Sequence, residues 1–500
     1  MLKYANSKSI CSCTPRRQGI IIANFVRSMQ KIIFFFPFLV SGLIISCSPS
    51  AKNDEQASAQ AGSAVIRGTD TTLKKGVVIS RITCKADTSL SYALYLPKYY
   101  SPVKKYPLIY FFDSHGSGSF PLEKYRVFAE KYGYILAGSN NSKNGMNWEQ
   151  NHSQIKVFMD DVKARLPFDA QRIYSCGFSG GSRVACSVAI YDGGVSCVIG
   201  MGAGLPNLSE PIHNRFDYIG FAGNEDFNMN EMIGLTTSMD KSPIRHHLIL
   251  FNGKHEWAPP EVAEDAFVWL QMNAMKDKLI AKNDSLLKKF VSFNAGQMKA
   301  LEEKKDWIGL DSHYKKLISF LDGLYFVDDY KLSLNKLDST DAYKKAAADN
   351  YKLVNEELAQ QREYSNDLVL KDMDWWRAEI KKLHGIPKGE RALMKKRLLS
   401  YLSLVAYMSA SSSLESRQTD QMEKFLIIYQ LVDPENSEHQ YLYADMYAIR
   451  KDNSKAFASL QNAVKLGFSD AARLEADPLL KGLRENSGYT QLLEKVKSNR

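Results

Sequence analysis

Short apolar runs rich in β-branched and aromatic residues recur through the first half of the chain. They span Gly76 to Thr83, Leu90 to Leu96, Pro107 to Phe112, Gly133 to Ala137, Arg172 to Cys176, Val195 to Met201, Tyr218 to Ala222 and His247 to Phe251. Runs of this length and composition, bounded by turn residues, predict strands. Amphipathic stretches with helical spacing lie between several of them: Leu122 to Tyr132, Ser153 to Arg165, Ser182 to Tyr191 and Glu261 to Met275. Alternating strands and helices predict a mostly parallel sheet with helices on both faces. No helix separates the first two runs, so they predict an antiparallel start to the sheet.

The pattern changes near residue 275. Lysine- and glutamate-rich segments with helical periodicity and few glycines follow. Val369, Met373, Trp376, Ile380 and Leu383 alternate spacings of four and three, which is one apolar helix face. Ser365 is the expected N-cap of that helix and Gly385 its stop. The chain therefore reads as 1–46, 47–68, 69–275, 276–420 and 421–500. Five hundred residues at 45% hydrophobic content suffice for two or more cores.

The first of these segments reads as a targeting signal. Met29-Gln30-Lys31 precedes Ile32-Ile33-Phe34-Phe35-Phe36-Pro37-Phe38-Leu39-Val40, and a small residue precedes Cys47. A basic start, an apolar core and a small residue form a secretory signal, too short and Pro-interrupted for a membrane span. Residues before Met29 read as an upstream extension. The polar, small stretch from Ser48 to about Gly68 reads as a tether. Lys3, Lys8, Arg16, Arg17, Arg27 and Lys31 precede Cys47 without an acid, so the remainder carries +4 of the total +10. That surplus is too mild and too evenly spread for nucleic-acid binding.

Candidate chemistry gathers after the strands. Gly177-Phe178-Ser179-Gly180-Gly181 follows the run Arg172 to Cys176 and opens a helical stretch. A Gly-x-Ser-x-Gly turn between strand and helix holds a serine at a sharp corner with its hydroxyl exposed. Side chains at positions 177 and 181 would collide across the turn, and the Gly180 N–H can face a developing oxyanion. Asp113-Ser114-His115-Gly116-Ser117-Gly118 follows another strand, and N–H groups at Gly116 or Ser117 are the expected second donors. Asp226, in Gly223-Asn224-Glu225-Asp226, is the expected acid, with Glu225 as its rival. His255, in Asn252-Gly253-Lys254-His255, is the expected base. The order Ser, Asp, His and the position after successive strands single out this set. Trp148 and Trp257 are expected in the core, with a substrate pocket as the other role open to them. Cys84, Cys176, Cys186 and Cys197 either pair or stay as buried free thiols. No Cys-x-x-Cys or His-x-x-x-His spacing suggests a metal site.

Several resemblances sharpen this picture. Ile44-Ile45-Ser46-Cys47 resembles a bacterial lipobox, which implies cleavage before Cys47, a lipid on its thiol and, with Ser48 next, the outer membrane. Leu96-Pro97-Lys98-Tyr99-Tyr100, His115-Gly116, Asp160-Asp161-Val162, Gly177-Phe178-Ser179-Gly180-Gly181 and Gly253-Lys254-His255-Glu256-Trp257 resemble the polyhydroxybutyrate depolymerase and feruloyl esterase branch of the α/β-hydrolases. That resemblance covers about the first half of the mature chain. It implies ester hydrolysis through an acyl-serine on Ser179, Asp226 and His255, with no cofactor. Asp113 departs from the pattern, where an apolar residue often precedes the His-Gly pair. Ala444, Tyr447, Ala456, Leu460 and Ala463, with Pro434 before them, resemble a tetratricopeptide repeat, and Asp477-Pro478-Leu479-Leu480 resembles its closing helices. That resemblance implies a protein or peptide partner; a purely stabilising helical module is the other reading.

The expected protein is a lipid-anchored cell-envelope esterase acting on a small or polymer-linked ester. A catalytically weak hydrolase-fold binding protein that uses its helical half for partners is the alternative. A serine peptidase would use the same residues.

Overall fold

A computed structural model of the chain describes residues 73–206, 214–385, 389–485 and 487–498. The signal, the lipobox cysteine Cys47 and the tether lie outside the described residues.

All eight predicted strands form: β1 (Val78–Thr83), β2 (Ser91–Tyr95), β3 (Tyr106–Phe112), β4 (Ile135–Ser139), β5 (Phe168–Phe178), β6 (Cys197–Met201), β7 (Asp217–Gly223) and β8 (His246–Phe251). They build one sheet in the order β1-β2-β4-β3-β5-β6-β7-β8. β1 pairs antiparallel with β2 and β2 antiparallel with β4, while β3 runs parallel to both β4 and β5, and β5 parallel to β6. β2, β4, β6 and β7 are buried along their whole length, the signature of strands covered on both faces.

The winding reverses at β3. β4 follows it to one side and β5 to the other, so the carboxyl ends of β3 and β5 flank a topological switch point, where open sheets place their ligand sites.

The predicted helices of this half also form: α1 (Ser119–Tyr132), α2 (Trp148–Arg165), α3 (Gly180–Ser187) with a π turn, Val188–Asp192, and α5 (Pro260–Lys276). α4 (Met229–Met239) is an addition that its Thr-rich, glycine-interrupted sequence conceals. Asn147 caps α2 by accepting the Gln150 N–H, which starts the helix five residues earlier than its apolar periodicity suggests. Trp148, expected in the core, is therefore 37% exposed at the first turn of α2, stacked on His152. Trp257 is buried as expected.

Helices alone follow from Asp284. They are α6 (Asp284–Glu303), α7 (Trp307–Leu321), α8 (Asp328–Ser339), α9 (Asp341–Leu370), α10 (Met373–His384), α11 (Glu390–Glu415), α12 (Thr419–Val432), α13 (Ser437–Ile449), α14 (Asn453–Lys465), α15 (Ala471–Ala476) and α16 (Ser487–Ser498). The face predicted from Val369 to Leu383 divides between two of them. Ser365 lies inside α9, and Asp372 caps α10 by accepting the Trp375 N–H. Gly385 ends α10 as expected. Trp376, Ile380 and Leu383 enter a core with Leu398, Leu402, Leu426 and Tyr429, while Val369 is exposed. In the next helix pair, Ala444, Ala456 and Ala463 are wholly buried where α13 and α14 approach closely.

Contacts divide the chain into two units. Among the described residues, one holds those up to Gly220, Glu231–Leu248 and Pro259–Ile280; the other holds Phe221–Asn230, Ile249–Ala258 and those from Ala281 onward. The second unit therefore combines the helices with the last residues of β7 and β8 and the loops that follow them.

Candidate active site

Ser179 closes β5 and caps α3 with φ 53° and ψ −122°. A non-glycine residue with such a backbone is strained, and the strain persists only where the surroundings enforce it. Here the Ser179 N–H donates to the Met201 carbonyl at 2.8 Å, and the Ser179 carbonyl accepts from Ser182 and Arg183 N–H. The glycines explain themselves by close approach. A Cβ on Gly177 would collide with the Gly181 carbonyl, one on Gly181 with the Phe112 carbonyl, and one on Gly180 with the Asn144 side chain. The turn is therefore pressed between the ends of neighbouring segments, and no larger residue fits. The N–H groups of Gly180 and Gly181, at the first turn of α3, have no intrahelical acceptor and point along the positive end of the helix.

The loop after β3 is organised around Asp113. Asp113, 5% exposed, accepts the His115 N–H at 2.9 Å and the Ser117 N–H at 3.2 Å through Oδ1. Its backbone carbonyl accepts the Gly116 N–H at 3.1 Å. The two N–H groups expected to serve an oxyanion, Gly116 and Ser117, are thus both engaged by Asp113. A carboxylate at the head of a tight turn collects N–H groups that follow it, here those of His115 and Ser117, while the Gly116 N–H closes the turn on the Asp113 backbone carbonyl. The His115 ring points outward, its side chain 83% exposed.

In the second unit, Asp226 and His255 meet. His255 Nδ1 stands 2.9 Å from Asp226 Oδ1, and the same oxygen accepts the Asn228 N–H at 2.8 Å. Asp226 is wholly buried, and its Oδ2 has no hydrogen-bond partner. With Asp226 ionised, the hydrogen of the imidazole sits on Nδ1 and the lone pair on Nε2, the arrangement a general base needs. Phe227 lies against the ring, with centroids 4.3 Å apart.

Backbone bonds tie the two loops together. The Asn224 N–H donates to the Phe251 carbonyl at 2.8 Å and the Glu225 N–H to the Gly253 carbonyl at 2.9 Å. Gly223 has no room for a Cβ beside the carbonyls of Gly253 and Lys254. Glu225, the rival acid, turns to Lys396 of α11 instead, with Nζ 2.5 Å from Oε1.

The structure thus brings Asp226 and His255 together, gives Ser179 its strained corner, and bonds the N–H groups of Gly116 and Ser117 to Asp113. Two residues of the helices also reach the acid loop, Lys396 and Arg397, and no sequence signal marks them. Cys84, Cys176, Cys186 and Cys197 are free and buried; burial pushes the Cys84 thiol up to about 11 and Cys186 up to about 12. Among the described residues, no cluster of three or more His, Cys, Asp or Glu side chains is arranged to hold a metal ion.

No protein-family model matches the chain, and no curated protein matches it. Its structure is similar to S-formylglutathione hydrolase of Staphylococcus aureus, with 11% identity over 36% of this chain and 90% of that one and a TM-score of 0.30. It is similar to the fluorophosphonate-binding serine hydrolase FphF of Staphylococcus aureus, with 12% identity over 39% and 99% and a TM-score of 0.32. It is also similar to the feruloyl esterase module of Clostridium thermocellum, with 15% identity over 43% and 93% and a TM-score of 0.30.

Proposed function

We propose that the protein is a serine hydrolase of carboxylic esters, with Ser179 as nucleophile, His255 as base and Asp226 as the acid that orients it. The observation that carries this reading is the strained backbone of Ser179 at a strand-to-helix corner packed too tightly for any other turn. The Asp226–His255 hydrogen bond supports it independently, because it sets the tautomer that a base requires.

In this reading His255 Nε2 takes the proton of Ser179 Oγ as that oxygen bonds to the ester carbonyl carbon. The carbonyl oxygen takes the electron pair and is held by the N–H of Gly180 at the positive end of α3. His255 then gives its proton to the departing alcohol oxygen as the C–O bond breaks, leaving an acyl-serine. Water attacks in a second round, losing its proton to His255, and the acid leaves with Ser179 restored. No cofactor enters these steps. The lipobox resemblance of Ile44-Ile45-Ser46-Cys47 supports a lipid-anchored enzyme in the cell envelope, acting on small or polymer-linked esters.

One observation favours a second reading. The engagement of the Gly116 and Ser117 N–H groups by Asp113 fits a catalytically weak protein whose helices recruit a protein partner. A serine peptidase shares the residues of the first reading.

Labelling with a fluorophosphonate, followed by mass spectrometry of the adduct, tests the choice. An adduct on Ser179 that His255→Ala abolishes is the expected result. No adduct on the folded chain would transfer the assignment to the binding reading.

A further inference from the structure

Arg397 of α11 and Glu357 of α9 form a buried ion pair, 2% and 0% exposed. Arg397 Nε lies 2.9 and 3.0 Å from the two carboxylate oxygens, and Nη2 lies 2.7 Å from Oε2. This uses one side of the guanidinium fork. The other side leaves the helices altogether. Nη1 donates to the backbone carbonyl of Asn224 at 2.7 Å and lies 3.9 Å from Met229 Sδ. The preceding residue, Lys396, holds Glu225. Consecutive residues of α11 therefore grip consecutive residues of the loop that carries Asp226.

The grip reaches the base as well. Asn224 accepts the Gly253 N–H through Oδ1 at 3.3 Å and donates its own N–H to Phe251, both in the segment leading to His255. Asp226 itself has few other anchors: Oδ1 holds Asn228 and His255, and Oδ2 holds nothing. Its position is set largely through the backbone of its loop, which is fastened at Asn224, at the Glu225 N–H on the Gly253 carbonyl and at the Asp226 N–H on the Gly223 carbonyl, and Asn224 is the point that Arg397 reaches.

A guanidinium suits this fastening and an ammonium does not. Its planar fork satisfies a carboxylate and a carbonyl at once with no rotamer search, whereas a lysine offers a single flexible point. Burying two charges is rarely favourable for stability alone, so their retention at this place fits a positional role.

We infer that Arg397, held by Glu357, is a positioning residue for the Asp226–His255 pair, making the helical half part of the catalytic apparatus. This rests on the proposed role of those two residues. Misplacing an orienting group by about 1 Å costs on the order of 100-fold in rate while leaving substrate affinity alone.

The test uses the full chain with p-nitrophenyl acetate as substrate and the fluorophosphonate as label. Arg397→Met combined with Glu357→Gln removes both charges together, which leaves no unpaired buried ion. The expected result is a fall of about 10- to 100-fold in kcat and in labelling rate, with KM unchanged within about twofold. Arg397→Lys keeps the charge opposite Glu357 but loses the fork, and is expected to show the same split; it decides the matter if the double variant fails to fold. Folded variants with wild-type kcat would overturn the inference alone, as would a lowered melting temperature with kcat intact. A folded wild-type chain that neither turns over ester nor takes label would overturn the triad reading, and this inference with it.

Discussion

Asp226 receives both His255 Nδ1 and the Asn228 N–H on one oxygen, while its second oxygen is buried without a partner. Only one face of the carboxylate is in use, so the geometry rests on Oδ1. Asp226→Asn is expected to lower kcat by three to four orders of magnitude, about the loss seen when an orienting acid becomes an amide. Glu225→Gln disturbs only the contact with Lys396 and is expected to cost no more than about tenfold. Steady-state kinetics of the two variants side by side would check this; the reverse ranking would reassign the acid.

Asp113 separates hydrogen bonding from charge. Asp113→Asn keeps an acceptor at Oδ1 for His115 and Ser117 and is expected to leave thermal stability nearly unchanged. Asp113→Ala removes the acceptor of two N–H groups on exposed residues and is expected to cost about 0.5–1.5 kcal/mol. Denaturant titration of both variants measures the difference, and equal stability would show that the carboxylate holds nothing.

The four buried cysteines are expected to resist alkylation by iodoacetamide at pH 8 in the folded chain and to react once it is unfolded, as read by mass spectrometry. Burial, then the charge of Asp161, raises the Cys84 thiol to about 11. The folded state therefore holds the proton that the unfolded state releases near its usual value. Stability from this group is complete below about pH 8.5 and is lost as pH climbs through 11.

Asp445 on α13 supplies a second pH dependence. Burial first, and the nearby Asp477 next, raise its carboxyl to about 8, and its Oδ1 lacks a partner. The folded state favours the neutral acid, so its contribution is complete below about pH 4 and declines as pH rises through 8. Melting of the C-terminal helices followed by circular dichroism is expected to fall from pH 5 to pH 9. Asp445→Asn is expected to flatten that slope; an unchanged slope would exonerate the group.

The sheet was legible because its strands announce themselves as apolar runs, and because a glycine-bounded serine turn after β5 and a loop histidine after β8 need no long-range knowledge. α4 was hidden because Gly234 and two threonines blur its periodicity. Ser365 misled because an isolated cap residue inside an apolar pattern says nothing about where the backbone breaks; Asp372, three residues before Trp375, marks the real start. The bonds that Gly116 and Ser117 make, one to the backbone carbonyl of Asp113 and one to its carboxylate, are not revealed by any spacing. Arg397 and Glu357 read as ordinary charges on helical surfaces. Their burial comes from long-range packing, of α9 beside α11 and of Arg397 on the Asn224 loop.

That burial carries a consequence for descent. Replacing either Arg397 or Glu357 alone strands an ion in the protein interior, whereas replacing both by apolar residues does not. Single substitutions at the two positions should therefore be purged, and related chains should keep the pair or lose it in concert. A lineage that has lost both while keeping Asn224, Asp226 and His255 would show how that loop is held without the helices, and where evolution found another fastening.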